Sequence, residues 1–214
     1  MFTNRDYLIL FLLSLSFSGL TAQVPATPMK DKDAFKKKLV EMTATVNTLE
    51  SDFIQEKNLS VLASKIISKG HFCYRKENHI RWEYMNPYKY LIIISDGKLF
   101  VKEEKNQKQY DIQSNRMFQE MNTFISGCIQ GDILNNEKDY KAGYFEDEKS
   151  YFVRLVPNAE AMKKMLSEVQ IWFNRTDLTV SRIVMLEPGG DYTRIDFTNK
   201  KVNTDIPLEK FNFK

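Results

Sequence analysis

Apolar residues recur at helical spacing only near the start of the chain and once more in its middle. Phe35, Leu39, Met42 and Val46 lie four, three and four apart, one stripe of a helix running from about Asp31 to Asn47, with Asp31 and Asp33 suited to its start. From Ser51 the period changes to two. Ile80, Trp82 and Tyr84 alternate with His79, Arg81 and Glu83, so His79–Met85 reads as a strand with one apolar and one polar face, His79 lying in the exposed phase. Tyr88–Ser95 is rich in β-branched and aromatic residues, and Asp96-Gly97 signals a two-residue hairpin before Leu99–Glu103. Tyr110 and Ile112 continue the alternation.

Between Arg116 and Ile133 the helical period returns through Phe118, Met121, Phe124, Ile125, Cys128 and Ile129, weakened by Gly127 and Gly131. Strand patterns resume at Tyr140–Phe145, Tyr151–Val156, Val169–Phe173, Val180–Leu186, Tyr192–Thr198 and Leu208–Phe213, with a helical turn in Asn158–Leu166 after Pro157. Helix, strands, one interrupting helix and more strands leave no regular βαβ alternation, so the sheet is expected to be antiparallel. A single curved sheet with few helices has one broad apolar face that must be covered or receive something, and the glycine-interrupted helix near Phe124 is a candidate movable lid.

The first 22 residues have the order of a secretory signal peptide: Arg5, an apolar run from Leu8 to Phe17, then small residues ending at Ala22. Cleavage there leaves residues 23–214 as one domain, opening on a flexible leader, Gln23–Met29, with no cysteine placed for lipidation. Lysine and arginine total 31 against 28 acidic residues, a net charge of +3. That balance lacks the footprint of a nucleic-acid binder. Lys30, Lys32, Lys36, Lys37 and Lys38 form a basic start, read either as a solvated helix face or as a docking surface for an acidic partner. Cys73 and Cys128 leave a disulfide and two free buried thiols equally open.

Candidate catalytic chemistry is sparse. G-x-S-x-G, H-E-x-x-H, C-x-x-C and a phosphate-cradling glycine loop are all missing from the sequence. The two histidines, His71 and His79, have no metal-ligand spacing around them, and Asp139, Glu146, Asp147 and Glu148 read as a solvated turn. The expectation is a non-enzyme without cofactor or metal.

Several short motifs, in order, resemble the bacterial outer-membrane lipoprotein carrier proteins of the periplasm. Ser51-Asp52-Phe53-Ile54-Gln55 is similar to that family's S-x-F-x-Q strand, and Gly70-His71-Phe72 with Ile80-Arg81-Trp82-Glu83-Tyr84 to its G-x-F and R-W-x-Y hairpin. Pro87, Ile94–Lys98, Gly190–Thr193, Ile195-Asp196-Phe197 and Asn203 match later positions. The resemblance implies an α+β, mainly β fold: an incomplete antiparallel β-barrel, a curved half-barrel sheet with a few helices covering its concave face. It implies a soluble, monomeric periplasmic carrier that binds the acyl chains of lipoproteins without covalent chemistry. Such a carrier takes cargo from an ATP-driven inner-membrane releasing complex and gives it to an outer-membrane receptor. The related alternative is an exported binder of another lipid or glycolipid. By motif position Ile80, Trp82 and Tyr84 would face the cavity, Phe118, Met121 and Phe124 would line the lid, and Arg75 or Lys76 would hold the lid closed.

Overall fold

A computed structural model describes residues 27–104, 106–114, 119, 123, 126–129, 131–135 and 138–213. The signal-peptide stretch, and Phe118, Met121 and Phe124, lie outside these described residues. Helix α1, Lys32–Ala44, starts as its sequence predicts: Asp31 accepts a hydrogen bond from the Ala34 amide at 2.9 Å, and Phe35 and Leu39 are buried. It ends three residues before the expected Asn47, because Thr45–Asn47 turn the chain into the first long strand. Asn203 secures that junction: its side-chain oxygen accepts from the Asn47 amide at 2.7 Å and its amide donates to the Thr45 carbonyl at 3.0 Å.

Among the described residues, twelve strands form one antiparallel sheet. The first half of the chain contributes β1 (Thr27–Pro28), β2 (Thr48–Asn58), β3 (Ile66–Arg75), β4 (His79–Asn86), β5 (Tyr90–Ser95), β6 (Lys98–Glu103) and β7 (Asn106–Asp111). The second contributes β8 (Tyr140–Glu146), β9 (Ser150–Pro157), β10 (Glu168–Asn174), β11 (Val180–Leu186) and β12 (Tyr192–Val202), with a one-turn helix, α2, at Glu160–Lys163. The spatial order is β1-β8-β9-β10-β11-β12-β2-β3-β4-β5-β6-β7, so β1 and β7 are the two edges and the barrel is incomplete. Asp96 and Gly97 both have positive φ, +52° and +72°, and join β5 to β6 as the two-residue hairpin requires. The β7–β8 connection returns from one edge of the sheet to near the other. Its described residues 126–129 are helical and pack over the inner face, and a 3₁₀ turn, Asp132–Asn135, follows.

Two apolar clusters fill the inner side. Phe35 and Leu39 of α1 pack with Val153, Leu155, Val169, Ile171 and Phe173 of β9 and β10, with Cys128 beside them. Phe53, Phe72, Tyr74, Ile80, Ile94 and Ile195 form the second. A third lies on the outer face, where Ile206 and Phe211 from the C-terminal segment cover Cys73 and Ile93.

Three sequence expectations are corrected, two of them by that outer cover. His79 is buried, not exposed: Phe211 packs against its ring at 5.7 Å, and its Nδ1 lies 2.9 Å from the Ser95 hydroxyl. Leu208–Phe213 is not a strand; Leu208–Phe211 is a 3₁₀ turn entered through Pro207, whose missing N–H suits a turn start better than a ladder. Part of the leader is ordered, since Thr27 and Pro28 pair with Glu146 and Phe145. Both cysteines are free and buried, which settles the disulfide question for this structure.

One end of the sheet is tied by a buried carboxylate. Glu56 meets Lys65 at 2.8 Å and Arg194 at 3.0 Å, and accepts from the Tyr192 hydroxyl at 2.5 Å. Burial pushes its pKa up, but Lys65, Tyr192 and Arg194 together outweigh burial and hold it below the ordinary 4.5. A carboxylate depressed in the folded state stabilises above the unfolded value and loses that contribution as pH falls through the folded one. The urea midpoint is therefore expected to fall between pH 7 and pH 3, and to fall less in Glu56→Gln; equal falls would show that Glu56 does not carry the acid sensitivity.

Candidate functional site: an apolar cavity inside the half-barrel

The inner face encloses a cavity of about 270 Å³ between the sheet, α1 and residues 128–129, near the lower end of the ~300–1,000 Å³ typical of ligand sites. Alternation along each strand supplies the wall: Ile80, Trp82 and Tyr84 from β4, Ile92 and Ile94 from β5, Phe72 from β3, Ile195 and Phe197 from β12, and Ile183 and Met185 from β11. Met42 of α1 and Val46 of the turn after it, with Cys128 and Ile129, close the other side.

The wall is braced by aromatic rings. Trp82 lies 4.9 Å from Phe53 and 5.1 Å from Phe72, ring centre to ring centre, and Tyr84 lies 5.1 Å from Phe53. These pairs are tilted or edge-to-face, the favourable arrangements. Gly70 makes this possible. It pairs directly with Phe53, whose ring lies over it; a Cβ at Gly70 would sit 2.4 Å from that ring and 2.1 Å from the Glu83 carbonyl oxygen.

Polar groups in the wall are few. The Tyr84 hydroxyl donates to Gln55 Oε1 at 2.9 Å, and burial pushes its pKa up to about 12, so it stays neutral. Burial likewise pushes the Cys128 thiol up to about 12, which makes it a poor nucleophile. Neither carboxylate nor histidine belongs to the cavity lining among the described residues. The arrangement can hold an apolar chain; it offers no nucleophile–base pair for covalent catalysis.

The sequence-predicted positions divide clearly. Ile80, Trp82 and Tyr84 line the cavity together. Arg75 lies on the outer face, where its Nη1 donates to the Ile206 carbonyl at 2.7 Å. Lys76 borders a second hollow, beside Tyr74, Val46 and Ile129.

Cross-strand pairing also assembles a group that linear spacing hid. Glu50, His71 and Cys73 bring ligand-type atoms within 4.8 Å of one another on the outer face, and Asp52 lies 2.8 Å from His71 Nδ1. Glu50, however, is already 2.9 Å from Lys201 and 3.9 Å from Lys210, two ammonium groups that oppose a cation there.

The sequence pattern of the family described as outer membrane lipoprotein carrier protein LolA matches residues 44–214. The chain belongs to this carrier family. It is 23% identical over 207 residues to an outer-membrane lipoprotein carrier protein of Bordetella avium (strain 197N), covering 93% of this chain and 91% of that protein. The carrier protein of Methylococcus capsulatus (strain ATCC 33009 / NCIMB 11132 / Bath) is 22% identical over 207 residues, covering 95% and 91%. An uncharacterized conserved protein from Thermus thermophilus shares the fold alone, with a TM-score of 0.53 at 8% identity over 85% of this chain and 93% of that one. The carrier-family motifs acquire physical meaning here. In S-x-F-x-Q, Phe53 is the ring laid over Gly70 and Gln55 is the acceptor for Tyr84; in R-W-x-Y, the alternate Trp82 and Tyr84 face inward. Among the described residues, no helix is long and apolar enough to cross a membrane.

Proposed function

We propose that this member of the carrier family is an exported periplasmic protein that takes the acyl chains of lipoproteins into its cavity. It would move them from the inner to the outer membrane. Ile80, Trp82 and Tyr84 are proposed as acyl-contacting residues. The reading rests on one observation above the others: a cavity walled by apolar side chains from six strands, β2 to β5, β11 and β12, whose polar groups are mostly neutral and hydrogen-bonded. Burying apolar area is worth ~25 cal/mol per Å², so a chain's methylenes bind without a covalent step or a cofactor. Supply by an ATP-driven inner-membrane complex and delivery to an outer-membrane receptor are part of the same proposal, supported by membership of the carrier family.

Spheroplasts of a host carrying its lipoprotein-releasing complex test this directly. Added mature protein should release a labelled lipoprotein into the supernatant as a soluble complex that elutes with the carrier. Lipoprotein that stays in the membrane pellet at every carrier concentration would refute the role, and a soluble complex lacking the carrier would do the same.

A further inference from the structure

Among the described residues one charged side chain, Lys200, lines the mostly apolar cavity, and the fold uses a backbone irregularity to put it there. Along β12, Ile195 and Phe197 point inward while Arg194 and Asp196 form an ion pair on the other face. Strict alternation would send residue 198 outward, 199 inward and 200 outward. The pairing with β2 shifts between Thr198 and Lys201, adding one residue to β12, and Asn199 adopts φ +52°. Asn tolerates that left-handed conformation better than most residues. The bulge reverses the phase: Asn199 bonds Asp52 at 2.8 Å, Lys201 meets Glu50, and Lys200 and Val202 join the cavity wall. Bulges re-aim side chains at functional sites.

Among the described residues Lys200 meets only uncharged oxygens there. Its Nζ donates to the Thr179 hydroxyl and, at 3.3 Å, to the Val180 carbonyl. Thr179 in turn donates to Asp177 at 2.6 Å, so the exposed Asp177 carboxylate reaches the ammonium through an intervening hydroxyl. An ammonium has three N–H donors, and two are used. Burial lowers the pKa of Lys200, with Asp177 opposing. A half-buried cation beside an apolar cavity, with no direct anion among the described residues, is costly unless a ligand supplies one.

We infer that this cavity takes lipids whose headgroup is an oxyanion, carboxylate or phosphate, with the tail against the β4–β5 wall and the headgroup bonded to Lys200. This rests on the reading of the cavity as an acyl-chain site and adds a ligand class defined by charge. Lys200 acts as the recognition residue: its methylene stem lies along the apolar wall and its nitrogen meets the headgroup.

Trp82 in the wall provides a fluorescence readout. The mature protein is titrated with decanoate, decyl phosphate and decanol, and separately with acetate and inorganic phosphate. Decanoate and decyl phosphate should bind at least about tenfold more tightly than decanol, the size of a charged hydrogen bond. Lys200→Met should erase that preference, so that acid, phosphate and alcohol bind that variant alike, and Lys200→Arg should retain it. Equal binding of acid and alcohol by the wild type overturns this inference and leaves the acyl-chain reading standing. Failure of every decyl ligand to bind overturns both. A preference that survives in Lys200→Met removes Lys200 from the role. Displacement of decanoate by acetate or phosphate alone at equal concentration would make this a simple anion site, against the inference.

Discussion

Ile92→Glu should abolish acyl-chain binding while the protein still folds. Ile92 lies opposite Trp82 on β4 and Val101 on β6, in the cavity wall, and it is only half-buried. A carboxylate there can reach water when the cavity is empty but is desolvated when a chain fills it. Burying such a charge without a partner costs at least ~3 kcal/mol, or over about a hundredfold in affinity. Calorimetric titration with decanol should show that loss. Arg81→Gln, on the outer face of the neighbouring strand, should bind normally. Ile80 is less informative: it is 1% exposed within the second core cluster, so a charge there should unfold the protein. Normal binding by a folded Ile92→Glu protein would place the acyl site elsewhere.

Gly70→Ala should be the most destabilising single-methyl change in the sheet. The added Cβ would contact the Phe53 ring at 2.4 Å and, more seriously, the Glu83 backbone oxygen at 2.1 Å. A flexible side-chain end could swing away; a ladder carbonyl can move only with its strand. Overpacking of this kind costs about 3 kcal/mol, a fall of roughly 6–12 °C in Tm for a chain of this size. Thermal unfolding followed by circular dichroism measures it, and a shift of under about 2 °C would mean that β3 and β4 separate without cost. Gly97, where a Cβ would meet nothing within 4 Å, gives a contrast: a change there should act only through its positive φ.

What the sequence showed and what it hid separate along physical lines. The β4 alternation, the Asp96-Gly97 turn and the Phe35–Leu39 stripe are local, and each was legible because neighbours in the chain are neighbours in space. Period put Ile80, Trp82 and Tyr84 on one apolar face; that this face turns toward a cavity was implied by the family resemblance. His79 was misread because burial of the outer face depends on Phe211, more than a hundred residues away in the chain. Glu50, His71 and Cys73 meet only through β2–β3 register. Lys200 was invisible for a related reason: a bulge changes the inward phase by one residue, and periodicity read from Phe197 points the wrong way afterwards. The positions at Phe118, Met121 and Phe124 fall outside the described residues.

Among the described residues, the sheet ends at β1 and β7 without joining itself. A closed barrel has its radius tied to strand number and stagger, and changing the width of such a barrel means breaking a ladder. Here a small change of twist distributed over eleven strand pairings would alter the curvature with every backbone hydrogen bond intact. The interior is therefore elastic: it can widen for a bulkier guest at the expense of side-chain contacts alone, and contract when empty so that its walls stay packed.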